Sequence, residues 1–193
     1  MSENARHMSK SAEHYTPAYI VSAAYEVMGY FDLDPASCEE ANQLIRAERI
    51  YTKADSGHLQ PWFGRVFLNP PGTCGLTECG NRKVCSCKLV AKFWATLWAE
   101  YMTGRVEAAI WIGFSLEQLQ NLQNMACPSP LVFPICYPKR RVAYCGNSPP
   151  HGSYIALLPD RNDPGMVARF ERAFSPIGHV VTNQQAGQVP LFT

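Results

Sequence analysis

The stretch Arg65-Val66-Phe67-Leu68-Asn69-Pro70-Pro71-Gly72 decides how this 193-residue chain is read. Val66, Phe67 and Leu68 are a short β-branched and aromatic run that a polar-proline turn stops at once, which predicts a buried strand ending at Asn69. Pro70 has no N–H and a fixed φ, and Pro71 pushes Pro70 toward an extended conformation. The expected product is a stiff loop at the carboxyl end of a strand, the edge at which open α/β sheets bind ligands. The Asn69 amide oxygen and the Pro70 carbonyl would place two acceptors there, an arrangement suited to receiving hydrogen bonds from an exocyclic NH2 group. Asn-Pro-Pro-Gly is also an ordinary strand-terminating turn, because all its residues are turn formers. Any chemistry has to be argued from its surroundings.

Those surroundings are globular. The sequence is 47% apolar and 17% charged, with a net charge of +1. This composition supports a folded core and excludes a disordered chain. The length suits one well-cored domain. Near-neutral charge means that any nucleic-acid surface must be local. No apolar run approaches a membrane span, and residues 1–10 lack the apolar core of a signal peptide, so a soluble intracellular protein without a membrane partner is expected. The expected organisation is a disordered segment at residues 1–12 followed by a single domain over 13–193, with a cysteine-rich loop inserted at 73–88.

Periodicity predicts strands alternating with helices. Thr16 reads as an N-cap and Pro17 as the first position of a helix running to Met28, with Ile20, Val21, Ala24 and Val27 on one face and Gly29 ending it. Phe31 to Asp34 reads as a short strand entering the Pro35-Ala36-Ser37 turn, Ala41–Ile50 as a helix and Asp55–Trp62 as a polar loop. Leu89–Tyr101 is an amphipathic helix, Val106–Phe114 a strongly apolar strand, and Ser115 the N-cap of the next helix. Leu131–Cys136, Val142–Cys145 and Ser153–Leu158 read as strands, Phe170–Phe174 as the end of a last helix, and His179–Thr182 as an edge strand. Alternation of this kind implies a three-layer α/β domain with hairpin-like pairing toward the C-terminal end.

Eight cysteines occur, of which Cys74, Cys79, Cys85 and Cys87 crowd into the loop after Gly72. Four thiolates at this density in a reducing compartment favour a structural tetrahedral zinc, with free thiols or a redox pair as the alternatives. Cys38, Cys127, Cys136 and Cys145 are scattered and read as free thiols. Arg82 and Lys83 in the loop, and Lys139, Arg140 and Arg141 in a Pro-bounded hairpin, are either phosphate contacts or solvated charges.

Thr16-Pro17 before a helix, Asp34-Pro35-Ala36 after a strand and Asn69-Pro70-Pro71 after a later strand form an order that resembles the Dam-like DNA N6-adenine methyltransferases of phages and prophages. Asp55, Leu59 and Trp62 match an acidic-Leu-Trp element of that family ahead of its Asn-Pro-Pro loop. The resemblance covers about Tyr15 to Leu158. It implies a compact Rossmann-like S-adenosylmethionine-dependent methyltransferase fold in the cytoplasm of a bacterial host. It further implies methyl transfer from S-adenosylmethionine to the N6 amine of an adenine in DNA. By the same resemblance Asn69, Pro70, Pro71 and Gly72 form the catalytic loop, and Thr16, Pro17, Asp34, Pro35, Ala36 and Asp55 surround the cofactor. Lys139-Arg140-Arg141 fall where the family has a basic hairpin and would then face the DNA, joined by Arg82 and Lys83 if those contact phosphate. Gly72 stands where the family usually carries an aromatic that stacks on the base. A DNA-binding protein that has lost transfer activity, and an enzyme acting on cytosine N4 or a modified base, remain as alternatives.

Overall fold

A computed structural model of the chain describes residues 15–71, 82–144 and 152–182, and of residues 82–88 the backbone alone. Among the described residues five α-helices and seven strands follow one another: α1 (Ala18–Met28), β1 (Leu33–Asp34), α2 (Glu39–Ile45), β2 (Arg49–Ile50), β3 (Gly64–Leu68), α3 (Arg82–Met102), β4 (Val106–Gly113), α4 (Leu116–Gln123), β5 (Ile135–Pro138), β6 (Tyr154–Leu158), α5 (Met166–Phe174) and β7 (Gly178–Val181). The strands form one mixed sheet in the order β2-β1-β3-β4-β6-β5-β7. β2, β1, β3 and β4 are parallel; β6 opposes both β4 and β5, and β7 opposes β5.

Strand alternation sends successive side chains to opposite faces, and both faces here are apolar. Phe67, Ile110, Ile112, Ile155 and Leu157 pack with α1, α2 and α5. Val66, Leu68, Ala109, Trp111 and Ala156 pack with α3 and α4. The result is three layers. β4 lies inside the sheet and is buried at every position but Glu107. Among the described residues no helix is long and apolar enough to cross a membrane.

Several boundaries differ from the sequence expectation, each for a local reason. The N-cap of α1 is Pro17, and no side chain caps it; the Thr16 hydroxyl is used elsewhere. The helix expected over Ala41–Ile50 is α2, which begins at Glu39 and stops at Ile45. There the Asn42 side chain accepts from Ala47 N–H at 2.8 Å and donates to Ala47 C=O at 3.1 Å. Arg46 turns left-handed, and Arg49–Ile50 becomes β2. The strand expected from Leu131 is a single 3-10 turn, Pro130–Val132, followed by β5. Val142 and Tyr144 are buried, but among the described residues 142–144 no strand forms beyond an isolated bridge at Tyr144, and Cys145 lies outside the described residues. The helix expected from Leu89 begins at Arg82, so the loop assigned to 73–88 is helical over its last seven residues. Residues 1–14 and 72–81, and with them the segment expected to be disordered, lie outside the described residues.

Gly113, the last residue of β4, shows how tightly the sheet edge is filled. A Cβ built there would lie 2.0 Å from the Tyr154 ring, whose hydroxyl is held by Trp111 Nε1 at 3.3 Å and Gln118 Oε1 at 3.2 Å. Gly113→Ala is therefore expected to displace Tyr154 and destabilise the protein by about 1–3 kcal/mol, the usual cost of overpacking. Urea unfolding measures this, and an unchanged midpoint would mean that the ring moves freely.

Candidate functional site

The chain leaves β1, crosses through α2 to β2 on one side, and later returns with β3 on the other side of β1. Strand order therefore reverses between β1 and β3. In open α/β sheets the crevice outside the carboxyl ends at such a reversal is the ligand-binding position. Asp34 is the last residue of β1, and Asn69 directly follows β3. Leu33 is in register with Val66, so both polar residues emerge on the same edge of the sheet.

Asp34 is 1% exposed. Its Oδ1 accepts from Ala36 N–H at 3.1 Å, which folds Pro35 and Ala36 into a tight turn. Burial drives its carboxyl pKa up from 3.8 to about 7, only partly offset by the hydrogen bond from Ala36 N–H. Among the described residues no positive side chain contributes to the balance. The turn is covered by the next segment. Gly57 packs so closely that a Cβ would sit 1.9 Å from the Pro35 carbonyl oxygen. Trp62 Nε1 donates to Gly57 C=O at 2.8 Å, Tyr51 Oη to Pro61 C=O at 2.9 Å and Thr96 Oγ1 to His58 C=O at 2.9 Å.

The segment before α1 crosses the same edge. Tyr15 Oη donates to Glu40 Oε2 at 3.0 Å and accepts from Cys38 Sγ at 3.5 Å, tying it to the start of α2. One residue on, the Thr16 hydroxyl accepts from Asn69 Nδ2 at 3.2 Å. Tyr15 and Thr16 thus bridge the loops that follow β1 and β3. Asn69 is half-buried, Pro70 buried and Pro71 exposed.

Other residues singled out in the sequence fall as follows. Pro17 caps α1 beside Thr16. Asp55 is exposed and closes a capping box, its Oδ2 accepting from Thr52 N–H and Thr52 Oγ1, both at 2.7 Å. Those hydrogen bonds from Thr52 hold its carboxyl below the usual range. Trp62 is core, and Leu59 is 75% exposed. Lys139, Arg140 and Arg141 are all exposed, immediately beyond β5. Because β5 runs in the direction of β4, they leave the sheet at the carboxyl edge as well. Three strand spacings separate β5 from β3, roughly 14 Å. Arg82 and Lys83 occupy the first turn of α3. Gly72, Cys74 and Cys79 lie outside the described residues, as do the side chains of Arg82, Lys83, Cys85 and Cys87. Among the described residues no group of three or more His, Cys, Asp or Glu is placed to hold a metal ion.

Sequence reasoning missed two contributors. Tyr15 anchors the bridging segment, and its signal was only its place before Thr16-Pro17. The second is a buried group at the carboxyl end of β4. Gln118, 7% exposed, accepts through Oε1 from Phe114 N–H and Tyr154 Oη, both at 3.2 Å. Ser115 was legible as the helix cap and accepts from Gln118 N–H at 3.0 Å. The tertiary pairing with Tyr154 was not. Comparison with protein-family models, curated proteins and solved structures gave no match.

The Asp34 shift has a definite consequence for stability. The folded chain holds this proton to higher pH than the unfolded chain, whose carboxyl titrates near 3.8. The associated stabilisation is complete below that value and is lost as pH rises through about 7. Asp34→Asn keeps the acceptor for Ala36 and removes the ionisation. It is expected to melt above the parent protein at about pH 8, with the advantage shrinking toward about pH 5. An advantage independent of pH, followed by thermal denaturation, would show that the buried carboxyl is compensated.

Proposed function

We propose that the protein is an S-adenosylmethionine-dependent methyltransferase acting on the exocyclic N6 amine of adenine in DNA, built on a compact Rossmann-like fold. The observation that carries this reading is the pairing of a buried acid after β1 with an Asn-Pro-Pro loop after β3, on either side of the strand-order reversal. Four adjacent parallel strands covered by helices on both faces, extended by antiparallel strands, support the fold assignment. The order of the motifs supports the family.

The residues fit a cationic cofactor. Asp34 is a buried carboxyl whose burial is not offset by any positive side chain among the described residues. A ligand carrying an ammonium group would supply the missing charge and draw the carboxyl into its ionised form. Pro35 and Ala36 would line the turn beside it, with Pro17 and Asp55 at the margins. S-adenosylmethionine supplies an electrophilic methyl group on a sulfonium. The protein's part is to prepare the acceptor. The lone pair of an N6 amine is delocalised into the ring, and hydrogen bonds from its two N–H groups to Asn69 Oδ1 and Pro70 C=O favour a pyramidal nitrogen. That lone pair can then form the new N–C bond as the S–C bond breaks, with the amine proton lost to solvent. No covalent enzyme intermediate is required; the gain comes from orientation and preorganised dipoles. The base must leave the duplex to reach this loop. Exposed Lys139, Arg140 and Arg141 on the same edge, together with Arg82 and Lys83, would hold the flanking phosphates.

Incubation with labelled S-adenosylmethionine and unmodified DNA, followed by nucleoside digestion, is expected to place label in N6-methyladenine. Label in N4-methylcytosine would change the acceptor, and cofactor binding without transfer to any DNA would favour a binding protein. Asn69→Ala should lower the rate by about a hundredfold or more while leaving cofactor affinity within a few-fold. Asp34→Asn should do the reverse, weakening cofactor binding in the same preparation that gains thermal stability. We also propose that Cys74, Cys79, Cys85 and Cys87 bind a structural zinc; elemental analysis should return one zinc per chain, and metal-free protein would end that assignment.

A further inference from the structure

The Thr16 hydroxyl stands out as a buried polar group that its own neighbourhood does not explain. Thr before Pro at a helix start normally caps the helix, yet α1 is capped by Pro17 without any side-chain bond. Thr16 is 4% exposed, and its hydroxyl meets a side chain far away in sequence, Asn69 Nδ2 at 3.2 Å. A buried hydroxyl is costly to leave without a partner, so this pairing holds both groups in place.

The geometry of a primary amide gives the contact its meaning. The group is planar, with its NH2 and its oxygen at opposite ends. Committing Nδ2 to Thr16 turns Oδ1 away from Thr16. A hydroxyl can donate as well as accept; with Thr16 Oγ1 accepting, as it does here, Nδ2 is held at Thr16 and Oδ1 points to the other side of the amide, where the amine of a substrate needs an acceptor. The segment carrying Thr16 is itself restrained on both sides. Tyr15 is tied to Cys38 and Glu40 at the start of α2, and Pro17, with φ −62°, leads directly into α1. Ile20 and Val21 of that helix are buried in the core. The hydroxyl is therefore held from a rigid element.

We infer that Thr16 is a positioning residue which, by receiving Asn69 Nδ2–H, sets the amide so that Oδ1 serves as the acceptor for the substrate's exocyclic amine. The inference rests on the amino-methyltransferase reading above and assigns Thr16 a role distinct from lining the cofactor pocket. It also accounts for a Thr that forgoes its usual capping bond. A helix cap would require the hydroxyl at the α1 amides, whereas an amide anchor requires it at Asn69.

The test compares Thr16→Val, which keeps the shape and removes the hydroxyl, with Thr16→Ser, which keeps the hydroxyl. Methyl transfer to unmodified DNA is measured across S-adenosylmethionine concentrations, with cofactor binding followed separately by calorimetry. Thr16→Val is expected to lower kcat by about ten- to a hundredfold, with the Kd for S-adenosylmethionine within about twofold of the parent. Thr16→Ser should restore most of kcat. If Thr16→Val instead weakens cofactor binding at unchanged kcat, Thr16 is a cofactor contact and the inference fails. Unchanged kcat and unchanged binding would overturn it too. Should Thr16→Val not fold, Thr16→Cys keeps the volume but accepts weakly, and it must fall between Ser and the loss expected for Val; full activity in Cys sinks the inference. Absence of transfer by the parent protein would count against the methyltransferase reading itself, a result separable from all of these.

Discussion

The structure depends on a sheet that is apolar on both faces. β4 carries Ile110 toward one helical layer and Trp111 toward the other, both fully buried. Such a strand cannot face water on either side, so helices must cover both surfaces. Parallel strands then need crossovers, and the chain must at some point change the direction in which it adds strands. That change falls between β1 and β3. The place of this reversal is a product of burying the sheet, and the polar residues found at its carboxyl edge are ones the core leaves unused.

The two edges of the sheet are treated differently. At the amino edge, charged side chains serve stability. Arg65 donates to the Met28 carbonyl and stacks over Tyr30 at 4.7 Å from the ring centroid, and Arg169 donates to Val27 C=O while paired with Asp163. Both arginines sit where the carboxyl end of α1 concentrates partial negative charge. At the carboxyl edge the buried acid, Asp34, has no cation offsetting it among the described residues, and burial raises its pKa to about 7. Unbalanced burial costs stability and is retained most easily where a ligand repays it. Thr16, Asn69, Gln118 and Tyr154 form hydrogen-bonded groups along the same edge.

What could be read in the sequence was what is encoded locally. Val66 to Leu68 ends in prolines, so the strand and its stop were both visible. The four-residue spacing of Leu89, Phe93, Leu97 and Tyr101 marked α3, and Ser115 marked the start of α4. The failures share a cause. Arg49–Ile50 reads as helix by composition, but the Asn42 side chain closes α2 early on Ala47, and pairing with Leu33 and Asp34 turns the pair into β2. For Val142–Cys145, strand composition yields an isolated bridge at Tyr144 among the described residues 142–144. In both cases pairing with other segments, and not composition alone, decided the outcome.

The sequence by itself determined the alternation of elements, the stiff Asn69-Pro70-Pro71 loop and the acidic turn at Asp34, because each is written in a few adjacent residues with strong backbone preferences. Only the tertiary structure decided that these two turns lie side by side on one edge of the sheet, since strand order is a matter of which edges pair. It also decided the use of the Thr16 hydroxyl. A Thr before Pro at a helix start is locally a cap, and nothing within its own window shows Asn69 arriving from a strand 53 residues away. Hydrogen bonds are short and directional, so such assignments appear only once the sheet has brought distant segments within 3 or so ångströms of one another.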